Sequence, residues 1–249
     1  MAKVGIIGGS GLEDPSILKE SETVELETPY GEPSSALTTG IIDGTEVVIL
    51  SRHGKKHTIP PTQVNNCANI HALQQMKCDY IITTTACGSL REDIERGDLV
   101  LLDQFIDFTR LRKVSFFESF APGKMNHTVM ADPFSVKIRE KLIEAADELN
   151  LKFHKRGTVV TIEGPRFSTR AESRMFRTWG ADVINMSIAP EVILANELGI
   201  PYGTIAMSTD YDCWKTDEEP VSWEEILKIF NQNVHNVLEL ILKTLPKLE

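Results

Sequence analysis

The chain has 249 residues, of which 41% are hydrophobic and 25% charged, and its formal net charge is −10. This composition is typical of a globular protein, and the acidic balance argues against DNA or RNA as a partner, because a phosphate backbone binds basic surfaces. The length allows one large hydrophobic core, and no linker, repeat or low-complexity tract divides the sequence. We therefore expect a single domain over residues 1–249.

The four cysteines also limit the function. They lie far apart, with no CxxC pair and no histidine at metal-ligand spacing, so no metal site is expected. Because a strand-like pattern begins by residue 3, we expect no signal peptide, and no apolar stretch reaches the length of a membrane span. These features predict a cytoplasmic protein with no membrane partner.

Short apolar runs predict buried strands over residues 4–7, 47–50, 80–84, 98–102, 157–162, 183–185 and 202–207. Helical periodicity predicts helices over residues 64–76, 134–149, 169–179, 191–198 and 223–245. Residues 25–50 differ, because repeated turn signals there predict antiparallel hairpins. Those signals are at 29–31, 39–40 and 43–44. Because strands and helices otherwise interleave, we expect an α/β fold with a mixed, mainly parallel central sheet flanked by helices.

Two carboxylates, Asp210 and Asp212, directly follow the last apolar run. Ligands of open α/β sheets gather beyond the carboxyl ends of strands, and side chains two residues apart on an extended segment point the same way. The pair could therefore face one ligand with an amine and a nearby ring nitrogen, as on the N6 and N7 edge of adenine. If one carboxyl is desolvated and crowded by the other, its pKa rises and it can donate a proton. The alternative is a pair of solvated loop acids, since Asp is common in turns.

Polar groups that suit an anion follow four other predicted strands. They are the glycine-rich loop 8–11 with Ser10, the pair Arg52 and His53, the segment 84–89, and Ser187. The loop 8–11 lacks the GxGxxG pattern and the crossover helix of a dinucleotide fold, so a single phosphate is the better candidate. Each group alone has an ordinary explanation, such as a plain turn or a surface arginine. Together they predict an anion site.

The segment 163–168 follows another predicted strand and precedes a helix. Its Phe167 offers a flat face for a planar ring, and Ser168 could lie near the edge of that ring. Taken alone, Phe167 is more simply interpreted as a core residue, and so is Met186.

Together these segments resemble the trimeric purine nucleoside phosphorylase family, and within it the S-methyl-5′-thioadenosine phosphorylases. The resemblance covers nearly the whole chain and is carried by residues 5–12, 52–54, 84–90, 103–107, 161–168, 178–186 and 209–214. It implies a nucleoside phosphorylase-like fold, a homotrimer, and phosphate as co-substrate with no cofactor. The implied reaction is phosphorolysis of methylthioadenosine to adenine and 5-methylthioribose 1-phosphate, a step of purine and methionine salvage.

The same resemblance implies roles for residues of the predicted anion site and its surroundings. Phosphate would be bound by Ser10, Arg52, His53, Thr85, the backbone of Ala86, and Ser187. Met186 would lie against the ribose, while Phe167 and Ser168 would line the base.

The resemblance also implies how the base and the 5′ end are held. Asp212 would bind N6 of adenine, and Asp210, the catalytic residue, would protonate or hydrogen-bond N7. The methylthio group would meet His127 of the partner subunit, together with Trp223 and Ile226. Trp223 stands where the family commonly has a small β-branched residue, so the preference at the 5′ position is open.

Other functions remain open at this point. The chain could be a phosphorylase for methylthioinosine or adenosine, although two carboxylate acceptors favour a 6-amino purine over a 6-oxo purine. A hydrolytic nucleosidase would not need the anion site, and a reaction that depends on phosphate would exclude this alternative. A non-catalytic purine-binding protein on the same scaffold would bind its ligand without turnover.

Overall fold

The computed structural model describes residues 2–8, 16–216 and 223–248. Within the last range, side chains are described at residues 229, 231 and 233–248. The strands are β1 (Lys3–Ile7), β2 (Lys19–Val24), β3 (Leu37–Ile42), β4 (Thr45–Leu50), β5 (Tyr80–Ser89), β6 (Leu99–Leu101), β7 (Gln104–Phe108), β8 (Phe153–His154), β9 (Thr158–Ile162), β10 (Val183–Asn185) and β11 (Tyr202–Tyr211). The α-helices are α1 (Asn66–Gln75), α2 (Val136–Glu148), α3 (Arg170–Thr178), α4 (Ile188–Glu197) and α5 (Trp223–Thr244).

The described strands form one 11-stranded sheet. Its main path runs β2-β3-β4-β1-β5-β10-β9-β7, and β11, β6 and β8 branch from β5. Strand β5 is parallel to β1 and β11 and antiparallel to β10 at its end. The predicted α/β fold with a mixed, mainly parallel sheet is confirmed.

Helices cover both faces of this sheet. Ile6 and Ile7 are neighbours in β1, and because successive strand residues point to opposite faces, they lie in different hydrophobic clusters. Ile7 shares its cluster with residues of α1 and α4, such as Ile70, whereas Ile6 shares its cluster with residues of α2 and α5, such as Ile138. Full burial of one such side chain contributes about 1.5–3 kcal/mol.

The fourth helix begins earlier than predicted. α4 starts at Ile188, so Pro190 lies in its first turn instead of preceding it. Proline is tolerated there because the first N–H groups of a helix have no acceptor within the helix. The earlier start makes Ser187 the N-cap residue, at the positive end of the helix dipole.

The last predicted strand is longer than its apolar run. β11 continues to Tyr211, so Asp210 lies inside the strand and Asp212 just beyond it. The register with β5 shifts between Ser208 and Asp210, which is the signature of a β-bulge at Thr209. A bulge re-aims side chains, and here it brings Asp210 opposite residue 88 of β5.

Some local predictions were wrong or incomplete. The turn predicted at Thr39 and Gly40 is wrong, because both residues lie inside β3, whereas the turn predicted at Asp43 and Gly44 is confirmed as the reversal between β3 and β4. β2, β7 and β8 were not predicted, because β2 is mostly polar, β7 follows β6 closely and β8 has only two residues. Ser222 and Glu225 have the spacing of a capping box at the start of the last predicted helix, but Ser222 and the side chain of Glu225 lie outside the described residues.

Candidate active site

The site is organised along the second half of β5. Residues 84–88 of this strand lie beyond Thr83, the last residue that pairs with β1, so they have β11 on one side and β10 near the end of β5. Several predicted site residues lie close by: Arg52 follows β4, Ser187 follows β10, and Asp210 lies near the end of β11. The groups predicted to bind an anion contact β5 at Thr84 and Thr85, and the two acids lie by residue 88.

Arg52 follows β4 and is almost completely buried, with 6% of its surface exposed. Its Nη1 donates to the carbonyl oxygen of Thr84 at 2.9 Å. Its Nε and Nη2 donate to the two carboxylate oxygens of Glu191, at 2.5 and 3.0 Å. Burial disfavours the cation, but the Glu191 carboxylate outweighs this effect and holds the pKa of Arg52 above its usual value.

His53 lies next to Arg52 and is held in one orientation. Its Nδ1 lies 2.8 Å from the carbonyl oxygen of Ile59, and a carbonyl can only accept, so Nδ1 carries the hydrogen. Burial and the neighbouring Arg52 cation lower the pKa of His53 to about 4. At neutral pH the imidazole is therefore uncharged, and its Nε2 is an acceptor that suits the O–H of a monoprotonated phosphate.

Thr85 and Ser187 meet through their hydroxyl groups, 3.0 Å apart. The Nδ2 of Asn185 donates to Thr85 Oγ1 at 3.3 Å, and the Oδ1 of Asn185 accepts from Thr161 Oγ1 at 2.8 Å. Ser187 caps α4 by position, yet its side chain makes no capping hydrogen bond. Two hydroxyls at a helix N-terminus, braced by a buried amide, form a suitable site for an anion.

The two acids lie together over Gly88. A Cβ atom at position 88 would stand 3.2 Å from Asp210 Oδ2 and 3.5 Å from Asp212 Cβ. The hydroxyl of Thr209, in the bulge, donates to Asp210 Oδ1 at 2.8 Å. Both acids therefore lie next to residue 88, and the bulge, not regular strand alternation, gives Asp210 this place. That their carboxylates face one ligand stays a prediction.

Asp212 is the more buried of the two acids, with 7% of its surface exposed. Burial raises the pKa of its carboxyl, against the opposing effect of the nearby Ser173 and Ser168 hydroxyls and the Cys213 N–H. Its Oδ2 has no hydrogen-bond partner among the described residues. The nearby Ser168 and Ser173 hydroxyls are likewise buried and without a hydrogen-bond partner among the described residues, so the interior around Asp212 holds both an unpaired acceptor and unpaired donors.

Phe167 and Met186 were each open to interpretation as core residues. For Phe167 that alternative is wrong, because 56% of its surface is exposed. Met186 is half-buried. A Cβ atom added at position 164 would stand only 2.5 Å from Met186 Sδ, so the glycine at this position leaves room for the Met186 side chain. The guanidinium of Arg112 donates to the Met186 carbonyl oxygen at 2.6 Å, which fixes the turn before Ser187.

Sequence reasoning did not identify Glu191 or Asn185. Glu191 is the only charged residue in the apolar stretch 188–196, and that isolation was a usable signal. Asn185 ends a short apolar strand, and a lone amide at that position is the corresponding signal. Both residues contact predicted site residues and hold them in place.

Comparison with known proteins fits this geometry. The family model described as the phosphorylase superfamily matches residues 3–246 of this chain. The chain belongs to this superfamily. An S-methyl-5′-thioadenosine phosphorylase from Danio rerio is 53% identical over 248 residues, which are 99% of this chain and 89% of the relative. A relative with the same name from Pyrococcus horikoshii is 48% identical, over 100% of this chain and 93% of its own.

Solved structures of phosphorylases agree with the fold. The methylthioadenosine phosphorylase of Schistosoma mansoni in complex with adenine has a TM-score of 0.91 and 42% identity, covering 99% of this chain and 91% of its own. A mutant of the adenosine/methylthioadenosine phosphorylase of that organism, in complex with methylthioadenosine, has a TM-score of 0.90 and 40% identity, with 99% and 91% covered.

Some residues that the phosphorylase resemblance implied lie away from the strand ends or outside the description. His127 is exposed, and its ring lies 6.1 Å from that of Phe120. Ser10 lies outside the described residues. Helix α5 begins at Trp223, but the side chains of Trp223 and Ile226 are not described. Their predicted roles stay predictions.

Two further features of this phosphorylase concern metals and membranes. The described part of the chain holds no group of three or more histidine, cysteine, aspartate or glutamate side chains that could bind a metal ion. Among the described helices, none has the length and apolar character needed to cross a bilayer.

Proposed function

We propose that this chain catalyses the phosphorolysis of S-methyl-5′-thioadenosine to adenine and 5-methylthioribose 1-phosphate. The observation that carries the proposal is the arrangement along β5. The Thr85 and Ser187 hydroxyls meet one residue along β5 from the Thr84 carbonyl that Arg52 contacts, and the two acids lie by residue 88, three positions further along β5. The superfamily membership and the relatives named S-methyl-5′-thioadenosine phosphorylase support the reaction.

In this reaction phosphate is the nucleophile. One phosphate oxygen forms a bond to C1′ while the bond from C1′ to N9 breaks, and the electron pair of that bond goes to the leaving adenine. The ribose passes through an oxocarbenium-like state, which the bound anion stabilises electrostatically. Phosphate would be bound by Ser10, Arg52, His53, Thr85, the Ala86 backbone and Ser187.

Adenine leaves with extra electron density, and a proton delivered to N7 stabilises it. We assign this role to Asp210, whose carboxyl lies at the end of β11 above Gly88. General acid catalysis of this kind is worth about 10²–10⁴ in rate. The Asp212 carboxylate would accept the N6 hydrogen, and the exposed ring of Phe167, with Ser168, would line the base. Met186 would lie against the ribose.

We also propose a homotrimer in which His127 completes the methylthio subsite of the partner subunit, facing Trp223 and Ile226. Support comes from the segment that carries His127, because it exposes several apolar side chains that a subunit contact would cover. Leu111, Met125 and Val129 are 87%, 74% and 82% exposed. Sedimentation or light scattering measures the assembly, and a monomer with full activity would contradict this role of His127.

The compartment and domain organisation belong to the same proposal. We place the enzyme in the cytoplasm and describe it as one domain over residues 1–249. It would use phosphate as a co-substrate and need no cofactor. Its four cysteines are all free thiols, which suits a reducing compartment.

Adenosine is the second candidate substrate. A relative from Schistosoma mansoni, 42% identical with a TM-score of 0.92, is named for both adenosine and methylthioadenosine. The two nucleosides share the 6-amino base and differ only at the 5′ position, where the side chains of Trp223 and Ile226 are expected.

The experiment that tests the function measures release of free base from methylthioadenosine, adenosine and methylthioinosine, each with and without phosphate. We expect fast, phosphate-dependent release of adenine from methylthioadenosine. Release without phosphate would indicate a nucleosidase, and preference for methylthioinosine would contradict the role of the acid pair. Binding of adenine without any turnover would indicate a non-catalytic purine-binding protein.

A further inference from the structure

A buried carboxylate lies behind the anion site. Glu191 is on α4, one helical turn after Ser187, and none of its surface is exposed. A buried charge is strongly unfavourable unless it is paired and hydrogen-bonded. Glu191 meets both conditions, because its two oxygens accept from Nε and Nη2 of Arg52 and Oε2 also accepts from the Tyr202 hydroxyl at 2.7 Å.

The hydrogen-bond network continues past Glu191 into the sheet. The Tyr202 hydroxyl accepts from Thr83 Oγ1 at 3.0 Å, and Thr83 Oγ1 lies 2.9 Å from Thr204 Oγ1. All these side chains are buried. Helix α4 and strands β5 and β11 therefore hold the Glu191 carboxylate in one place, and its paired oxygens set the plane of the Arg52 guanidinium.

This arrangement leaves a defined part of Arg52 for an anion. A guanidinium has five N–H groups, and the bonds to Glu191 and to the Thr84 carbonyl use one each from Nε, Nη2 and Nη1. One N–H on Nη1 and one on Nη2 remain outside these bonds. Because the guanidinium is planar and pinned on two sides, these two donors have a fixed direction before any ligand arrives.

We propose that Glu191, braced by Tyr202, is a positioning residue that orients Arg52 for phosphate in the proposed phosphorolysis, on which this inference rests. Glu191 does not touch phosphate, and by charge alone it would repel the anion. Its contribution is the fixed direction of the remaining Arg52 donors. Positioning and charge therefore have opposite effects on phosphate affinity, and the sign of the change in a variant separates them.

The decisive variant is Glu191→Gln. A glutamine presents one acceptor and one NH₂ group to two guanidinium donors, so one bond of the pair is replaced by a contact between donors. If Glu191 positions Arg52, the KM for phosphate rises about 10- to 100-fold, as expected for loss of a hydrogen bond between charged groups. The affinity for adenine, which binds at Asp212, stays unchanged.

Two results would overturn the proposal. A lower KM for phosphate would mean that Glu191 acts only through its charge. An unchanged KM for phosphate with a lower melting temperature would mean that Glu191 only stabilises the fold. The matched control is Glu197→Gln on the same helix, because Glu197 accepts from Ser115 and Phe116, not from Arg52, and the KM for phosphate should not change.

Tyr202→Phe keeps both charges and carries the test even if Glu191→Gln fails to fold. It removes one hydrogen bond to Glu191, and we expect the KM for phosphate to rise about 2- to 10-fold with adenine affinity unchanged. An unchanged KM for phosphate in this variant would overturn the proposal by itself. Failure of the proposed function is distinct, because the wild-type protein would then show no phosphate dependence.

Discussion

Gly88 lies directly beneath the carboxylate of Asp210, and no other residue leaves that space free. The two residues pair across β5 and β11, and a Cβ atom at position 88 would approach Asp210 Oδ2 to 3.2 Å and Ile184 Cγ2 to the same distance. Contacts that short require a neighbour to give way by a few tenths of an ångström. The position of the proposed general acid thus depends on a missing side chain in the adjacent strand.

Replacing Gly88 by alanine should therefore reduce catalysis more than stability. We expect the Gly88→Ala variant to fold and bind phosphate normally but to lose kcat, because the Asp210 carboxyl must move by a few tenths of an ångström; the loss should be smaller than the roughly 10²-fold that a displacement of about 1 Å can cause. Steady-state kinetics with methylthioadenosine measure the loss. The control is Gly5→Ala, whose Cβ would meet Leu73 at 3.0 Å, so that it lowers the melting temperature and leaves kcat unchanged.

The Asp210→Asn variant tests the proton donor. An asparagine preserves the shape of the side chain but is not an acid, so turnover should fall about 10²–10⁴-fold while the fold is retained. The release of adenine and the thermal unfolding curve are the two measurements. Asp93→Asn, at an exposed acid, is the control and should behave like the wild type. A near-normal kcat for Asp210→Asn would remove the acid role.

Asp212 should decide between 6-amino and 6-oxo purines. Its buried carboxylate only accepts hydrogen bonds, whereas the Nδ2 of an asparagine donates and suits O6. We expect Asp212→Asn to lower kcat/KM for methylthioadenosine about 10- to 100-fold relative to methylthioinosine. Competition between the two nucleosides measures the ratio directly, and an unaltered ratio would show that Asp212 does not read position 6.

His53 should make stability depend on pH in the acid range. Its pKa is lowered from 6.5 to about 4 in the folded protein, so below pH 6.5 the unfolded chain binds a proton that the folded chain does not. Stability contributed at this site is present above pH 6.5 and is lost as the pH falls toward 4. The melting temperature of wild type should therefore fall more steeply over that window than that of His53→Gln.

A matched histidine variant separates this effect from general acid unfolding. His235 lies on α5 with 74% of its side chain exposed, so His235→Gln should keep the wild-type slope. Equal slopes for wild type and His53→Gln would contradict the lowered pKa of His53.

Most of the elements followed from local patterns, because an apolar run or a helical period needs no knowledge of distant residues. The run at 183–185 became β10 with the predicted bounds, and Thr169 with Glu172 begins α3 with a capping box. β2 escaped prediction because an exposed edge strand of polar residues has no apolar pattern to detect. The bulge at Thr209 depends on pairing with β5, so β11 could only be recognised as far as its apolar part.

Local sequence thus specified the alternation of strands and helices, and the residue types at the strand ends pointed to an anion and a 6-amino base. The tertiary structure alone decided which of these groups touch. Glu191 reaches Arg52 across 139 positions of the chain, and Thr85 reaches Ser187 across 102. Such contacts arise from the order of strands in the sheet and from burial, which the spacing of residues along the chain does not encode.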